Sequence, residues 1–565
     1  MRTLFRALLT LLAVGGLNTT VVAQNAPDWL GVQIVGNGYP SMGYSAVDSF
    51  GNTYVAGTFS DSIRVGGKVR RSMGRLDGYL AKYSPDGAVA WYQQLGSAGE
   101  ESITGIALDE AGNVYITGVF EFSIQLGSQL ALLGGNSTDQ DKMFVIRYSP
   151  GGKPEWARQS RADVKGISTA YGGSVATDAS GQLYVAGIFD NAMTIGAVST
   201  ASPANTTGAF LARFSAATGA LRSLTTAFTY AVPPPSSINY FRPLLAVTAL
   251  GEAYVLNSFT VPVLVGNTTL TSRGSIDGLV AKYDAQGRFE WVQQLGGAGV
   301  DEIRSCAVDA GGNLYATLAF NAASVLGATT LIPAGEYDGG LAKYSPRGEL
   351  LWAHSGGGPG YDRYNGICLD PAGNPFVVGY FQHTAQIGGL PLISAGGLDV
   401  LVVAYTPGGQ VRWAQQAGGP GSDVGDVLGL DAQGDLYVTG SFFRDADFGA
   451  IQLATSYYNH FDNCQFVGRL GNAAQTPPMP QVPQIPQPPR PTSGLYPNPA
   501  TEQVNLPGID VGSRVRFFDA VGRLVREGST SSNHQVSVQG LAPGLYTLQT
   551  TAATGLRYTG KLIVQ

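Results

Sequence analysis

VDSFGNTYVAGTF, at 47–59, decides the fold, because the chain writes it seven times. With its glycine as origin, the copies are headed by Gly51, Gly112, Gly181, Gly251, Gly312, Gly373 and Gly434, at spacings of 61, 69, 70, 61, 61 and 61 residues. Eight residues on stands a phenylalanine in every copy, from Phe59 to Phe442, and three residues on an aromatic ring, from Tyr54 to Tyr437. Three residues before the glycine, six copies carry aspartate (Asp48, Asp109, Asp178, Asp309, Asp370, Asp431) and the fourth has Thr248. A fixed period of this size means an array of one supersecondary unit.

Within a copy, a short run with small residues such as Ala46 and Ala107 leads into Asp-x-x-Gly, and an aromatic and β-branched run follows. The first and last read as strands and the middle as a tight turn, because Asp bonds the backbone ahead and Gly tolerates positive φ. Gly57, Gly118, Gly187, Gly379 and Gly440 share one slot inside the second strand, where glycine points to a bulge or a close backbone approach. GYLAKYS (78–84) and its echoes make a third strand, and a fourth carries Trp91, Trp156, Trp291, Trp352 or Trp413, with Ser223 in that slot of copy three. A four-stranded sheet cannot bury both faces alone, so the copies must stack, and radial stacking into a β-propeller leaves only short edges. Copy seven ends at its third strand, FVGRL (466–470), and the spare tryptophan strand is DWLGVQIV at 28–35. The expectation is an all-β, seven-bladed β-propeller over 24–475, closed by this N-terminal strand.

The flanks read differently. Residues 1–23 have Arg2 and Arg6, an apolar stretch at 7–15 and the small-residue cleavage site VVA at 21–23, the layout of a signal peptide. Its removal leaves a net charge of −8 and no further segment able to span a bilayer. An acidic chain lacks the basic face that phosphate binding requires, so nucleic acid is excluded as a partner. Residues 476–493 hold eight prolines and read as a polyproline spacer. Residues 494–565 alternate like a small β-sandwich of about seven strands. Three cysteines, Cys306, Cys368 and Cys464, sit in apolar slots and read as buried thiols.

Two resemblances rest on these residues. D-x-x-G-N-x-Y-V-x-G-x-F followed by DGYLAKYSPDGAVAW resembles the bacterial SBBP-type β-propeller repeat over nearly all of 45–470, which implies a propeller, usually exported, and no single activity. The tail resembles the type A C-terminal sorting domain of the bacterial type IX secretion system. YPNPA at 496–500 (Tyr496, Pro497, Asn498, Pro499), FDAVGRLV with Gly522, LAPGLY with Gly544 and Tyr546, and the closing KLIV with Lys561 carry it. That likeness implies delivery through the type IX machinery to the cell surface or the extracellular space.

For a site, the sequence offers two candidates. TAFTYAVPPPSSINYFRP (226–243), between copies three and four, is a long loop with Phe228, Tyr230, Tyr240, Phe241 and Arg242, suited either to holding a ligand or to packing where copy three lacks its tryptophan. Glu101, Asp301, Asp362 and Asp423 recur eight residues before the repeat aspartate, either as a partial ring for a cation such as calcium or, the reading preferred here, as braces of their own loops. His354, His383, His460 and His534 fall at unrelated positions, and no nucleophile or metal motif appears. The expectation is a non-enzymatic, monomeric binding, adhesion or scaffold module for a surface glycan or protein ligand, with no obligate cofactor. The alternative is a secreted glycoside lyase or hydrolase with its site on the propeller face.

Overall fold

The computed structural model describes residues 26–134, 141–161, 169–204, 206–230, 241–454, 463–471, 500–506, 511–519, 523–551 and 557–565. The expected leader, the proline-rich segment, Tyr240, Tyr496 to Pro499 and Gly522 lie outside the described residues. The chain is all-β, with no helix among the described residues. It divides into two compact units, one holding every strand up to Asn463–Gly471 and the other every strand from Gln503–Asn505 onward.

Copy two shows the plan of the first unit. Glu101–Leu108, Val114–Phe120, Lys142–Tyr148 and Pro154–Arg161 lie side by side in that order, each antiparallel to the next. The Asp-x-x-Gly turn is built as its residue types demand. Asp48 Oδ1 accepts the Asn52 amide at 2.9 Å, and the seven origin glycines all sit at φ between +77° and +85°, where a side chain would be strained. In copy four Thr248 Oγ1 replaces the carboxylate, accepting the Glu252 amide at 3.1 Å.

The repeat contains more than the four strands its pattern announces. Between the second and third strands runs a short hairpin, such as Ile124–Leu126 with Leu130–Leu132 or Val263–Val265 with Thr268–Leu270. Several of these hairpins pair with the outer strand of the copy before, as Phe228 with Val265 and Leu295 with Leu326. Three-residue strands, buried at both ends, are too short to register as a period, so only the turn glycines (Gly127, Gly266, Gly327) betray them.

Neighbouring copies are tied by the repeat's rings. The Trp91, Trp291 and Trp352 indoles donate to the carbonyls of Pro150, Pro346 and Pro407, in the next copy's turn, at 2.9 to 3.1 Å. Copy three, which has Ser223 instead, sends the Arg213 guanidinium to the equivalent carbonyl of Ala285. Tyr254 donates to Gly312 O at 2.7 Å and Tyr315 to Gly373 O at 3.1 Å, so the buried ring of one copy also fastens the next turn.

One strand, Asp28–Val47, serves two copies. Its first half pairs with Asn463–Gly471 of copy seven (Trp29 opposite Leu470, Ile34 opposite Phe466), and its second half with Thr53–Val65 of copy one. Trp29 is buried edge-on against Phe448, with ring centroids 5.0 Å apart. The first strand of each copy neighbours those before and after it, and Val424–Leu430 of copy seven neighbours Asp28–Val47.

In the second unit, Gln503–Asn505 pairs with Gln535–Ser537, and four further strands form a sheet whose last pair is Gly544–Thr551 with Arg557–Val564. Val504, Val515, Phe517, Val536, Leu548 and Leu562 share one core. Of the motif residues, Gly544 pairs with Val564, Lys561 lies opposite Thr547, and the Tyr546 hydroxyl donates to Ala542 O at 2.8 Å.

Candidate functional site

The first strands of all seven copies line one cavity of about 530 Å³. What they present to it follows from a repeated irregularity. In six copies the first strand slips one residue against the second, leaving Gly43, Thr104, Gly173, Arg304, Asn365 and Asp426 unpaired, and all six line the cavity. A bulge re-aims the extra residue. The glycine shared by the second strands makes room for it: a Cβ at Gly118, Gly187, Gly379 or Gly440 would lie 1.8 to 2.1 Å from a carbonyl oxygen of the first strand. In copy four the first strand, Leu244–Val247, begins only after Pro243.

The ring of bulges is chemically lopsided. Copies one to three contribute Gly43, Thr104 and Gly173, whereas copies five to seven contribute Arg304, Asn365 and Asp426. Glu302, two residues before Arg304, accepts from Arg304 Nη1 at 2.8 Å and attracts Arg363 Nη1 at 3.7 Å. Arg304 Nη2 lies 3.5 Å from Asn365 Oδ1, and Asn365 Nδ2 donates to Gly425 O at 2.9 Å. Burial pushes the Asp426 carboxyl up to about 7, against the opposing pull of Arg304. Beside this cluster the Arg363 guanidinium lies 4.7 Å from the centre of the Tyr337 ring, which stacks on Tyr361 at 5.8 Å. Cys306 also lines the cavity, and burial raises its thiol to about 12, so it is no nucleophile at neutral pH. Among the described residues Cys306, Cys368 and Cys464 form no disulfide; Cys464 is buried and the other two are partly exposed.

The residues singled out from sequence fare unequally. Phe241 and Arg242 line the cavity. Phe228 and Tyr230 do not serve as a ligand loop: they end the outer strand Leu221–Tyr230 and are buried against the hairpin strand Val263–Val265 of copy four. The correction has a simple cause, since this loop begins later than its composition suggested and the two rings are needed to cover copy four's hairpin. The Tyr230 hydroxyl accepts from Asn257 Nδ2 at 2.7 Å, so it supports the cavity wall from behind.

Glu101, Asp301, Asp362 and Asp423 are buried, and each holds its own loop. Their carboxylates accept the amides of Ser97, Gly297, Gly358 and Gly419 at 2.6 to 2.7 Å, and Asp362 and Asp423 also take the Gln382 and Phe443 amides at 2.9 and 3.0 Å. Among the described residues there is no group of three or more His, Cys, Asp or Glu placed to hold a metal ion. Each of the four instead faces a second buried acid from the third strand of the preceding copy: Asp77, Asp277, Asp338 or Asp399. A Cβ on Gly357 would lie 2.8 Å from Asp338 Oδ1 and 3.0 Å from Asp362 Oδ2, and Gly418 stands in the same way between Asp399 and Asp423. Burial and the partner's charge push Glu101 and Asp423 up to about 7 and Asp362 to about 6.

Two family models match the chain: the secretion system C-terminal sorting domain over residues 494–565 and the beta-propeller repeat over residues 90–119. An uncharacterized WD repeat-containing protein of Acanthamoeba polyphaga mimivirus is 23% identical over 406 residues, 64% of this chain and 26% of that protein. The chain thus spans about a quarter of the length of that curated relative. Among solved structures, a PL25 polysaccharide lyase, an ulvan lyase, is 12% identical with a TM-score of 0.39 and coverage of 74% and 93% of the two chains. The surface component PorZ of the Porphyromonas gingivalis type IX secretion system is 11% identical with a TM-score of 0.15 and coverage of 93% of each chain. A GH43 protein of Bacillus licheniformis is 10% identical with a TM-score of 0.26 and coverage of 77% and 94%. Likenesses this loose say nothing of what this chain does. The two family matches do: the chain carries an SBBP-type β-propeller repeat and a type IX sorting domain, and the latter marks it for export to the cell surface or the extracellular space.

Proposed function

We propose that this exported chain is a closed seven-bladed propeller serving as a cell-surface or extracellular binding module, with its ligand seated on the polar side of the cavity. Residues 24–475 are the binding body, 476–493 a spacer, and 494–565 the handle for the type IX machinery; 1–23 is a removable leader. The strand shared between copies seven and one, together with the cyclic contacts of the first strands, supports closure. The body acts as a monomer, needs no cofactor, and takes a glycan or protein ligand. Nucleic acid is disfavoured by the net negative charge.

One observation carries the binding reading. Six equivalent bulges aim at one cavity, yet only three of them carry groups with strong hydrogen-bonding chemistry, and those three are consecutive in the array. Scaffolding needs no such departure, since copies one and three manage with glycine there. The test is a glycan and protein array probed with the secreted chain and with Asn365→Ala. A ligand retained by the first and lost by the second is the expected result; a ligand bound equally by both would place its seat elsewhere.

A second reading, a glycoside lyase or hydrolase, has one observation in its favour. Asp426, pushed by burial up to about 7, and Glu302, lying between two arginines, put two carboxyl groups of unlike surroundings on one cavity wall. Polysaccharide cleavage by the secreted chain that vanishes in Asp426→Asn would establish it, and binding without any turnover would remove it.

A further inference from the structure

The junction between copies five and six departs from its counterparts in a way that names a ligand class. At three junctions an isolated parallel bridge joins the residues just before the two facing acids: Leu76 to Glu100, Ile276 to Val300, and Tyr337 to Tyr361. Only the last is a pair of rings, stacked with their planes 20° apart. Tyr361 is 44% exposed, so it is within reach of a ligand from solvent. The slot that holds Arg363 here holds Ser41, Ser102 and Val424 in other copies, and the bulge slot of Arg304 holds Gly43 or Thr104. The fold therefore asks for neither arginine.

Two guanidinium groups crowd one carboxylate here: Arg304 and Arg363 share Glu302, at 2.8 and 3.7 Å. Asp426, the second acid of the group, faces Arg304 from the cavity wall. The Arg363 guanidinium makes no hydrogen bond among the described residues, being held by the Tyr337 face and by the attraction of Glu302. A planar guanidinium fixed by stacking, its Nε buried and its two terminal amino groups without hydrogen bonds, suits bidentate recognition of a carboxylate or sulfate through those amino groups. An exposed ring beside it offers an apolar platform for the C–H face of a sugar.

Building on the binding reading above, we propose that Arg304, Arg363 and the stacked Tyr337 and Tyr361 form a subsite for a singly charged anionic sugar residue, carboxylated or sulfated, of an extracellular polysaccharide. Arg363 takes the anionic group, Tyr361 carries the ring, and Glu302 fixes both guanidinium groups and accepts from sugar hydroxyls.

The test measures affinity of the full secreted chain for polygalacturonate, a sulfated galactan and neutral dextran by isothermal titration. Binding to one or both anionic polymers, at least tenfold tighter than to dextran and weakening with added salt, is expected; which polymer binds tells carboxylate from sulfate. Arg363→Met should lower that affinity at least tenfold and Tyr361→Ala several-fold, each with an unchanged melting temperature, since other copies fill these slots with unrelated residues. Equal affinity for dextran, an Arg363→Met variant that binds like the parent, or no binding to any of the three polymers overturns the proposal. The two readings fail separately. A neutral ligand lost in Asn365→Ala would refute the anionic subsite and keep the cavity as a binding site, whereas ligands indifferent to every one of these substitutions would refute both.

Discussion

Lowering the pH from 8 to 4.5 should make this protein more stable, against the usual expectation for an acidic chain. The cause is the burial of four carboxyls, each facing a second buried acid: Glu101 with Asp77, Asp301 with Asp277, Asp362 with Asp338, and Asp423 with Asp399. All eight are buried, and Oδ1 of Asp301 and of Asp338 have no hydrogen-bond partner among the described residues. Loss of hydration disfavours the charged form of each raised carboxyl, and the facing acid adds to that. Glu101 and Asp423 are held at about 7 and Asp362 at about 6, above their values in the unfolded chain. A raised carboxyl contributes stability that is complete below its unfolded pKa and is lost as pH rises through its folded pKa, here between about 4 and 7.

The magnitude follows from the same shifts. Each pKa unit is worth ~1.4 kcal/mol, so a displacement of about three units sets a ceiling of ~4 kcal/mol. Partial access of water roughly halves it, to about 2 kcal/mol per junction, or roughly 6 kcal/mol over the three best-defined junctions. Unfolding a body of ~450 residues carries an entropy of ~1 kcal/mol per kelvin, so the melting temperature should rise by about 6 °C between pH 8 and pH 4.5. Below that window the gain reverses, because carboxylates such as Asp309, held low by Asn313 and Lys343, begin to protonate. Calorimetry across the range is the assay, with Asp423→Asn as the probe. An amide there removes the titrating carboxyl and should cut the pH dependence by about a third. A melting temperature that falls steadily from pH 8 to 4.5, or an Asp423→Asn variant with the parent's slope, would refute the buried-acid account.

Deleting residues 24–36 removes the strand that pairs with Asn463–Gly471 and should lower the melting temperature by many degrees; an unchanged melting curve would exclude the shared-strand seam. Trp29→Ala should reproduce much of that loss, about 3–5 kcal/mol for a buried aromatic ring. Removing residues 494–565 should leave the protein in the periplasm, and surface display of the truncated chain would show that the tail is dispensable for export. Gly340→Leu should destabilise strongly, because a Cβ there lies 2.7 Å from Leu318 Cγ, and adding Leu318→Gly should recover about 2 kcal/mol or more of the loss; strictly additive effects would refute the pairing.

The array was legible in sequence because its signals are local and repeated. An Asp-x-x-Gly turn, a buried ring three residues on and an indole on the outer strand each have one cheap structural solution, and seven copies average away the exceptions. The cavity was hidden by the same averaging. Its slot reads Gly43, Thr104, Gly173, Pro243, Arg304, Asn365, Asp426, which looks like a position under no constraint; only the bulge, set by glycines such as Gly118 and Gly379 on the adjacent strand, turns that variety into one wall. The second acid of each junction pair was equally in view, as the residue before GYLAKYS and its echoes, but a carboxylate heading a strand reads as solvated until the next copy is packed over it. Copy five shows how far the inference can be pushed. There the strand glycine is replaced by Leu318, the facing strand supplies Gly340, and the bulge at Arg304 persists. The constraint therefore lies on the cross-strand pair, one large residue opposite one glycine, as with Gly118 and Phe144 or Gly440 and Phe466, and not on the glycine slot alone.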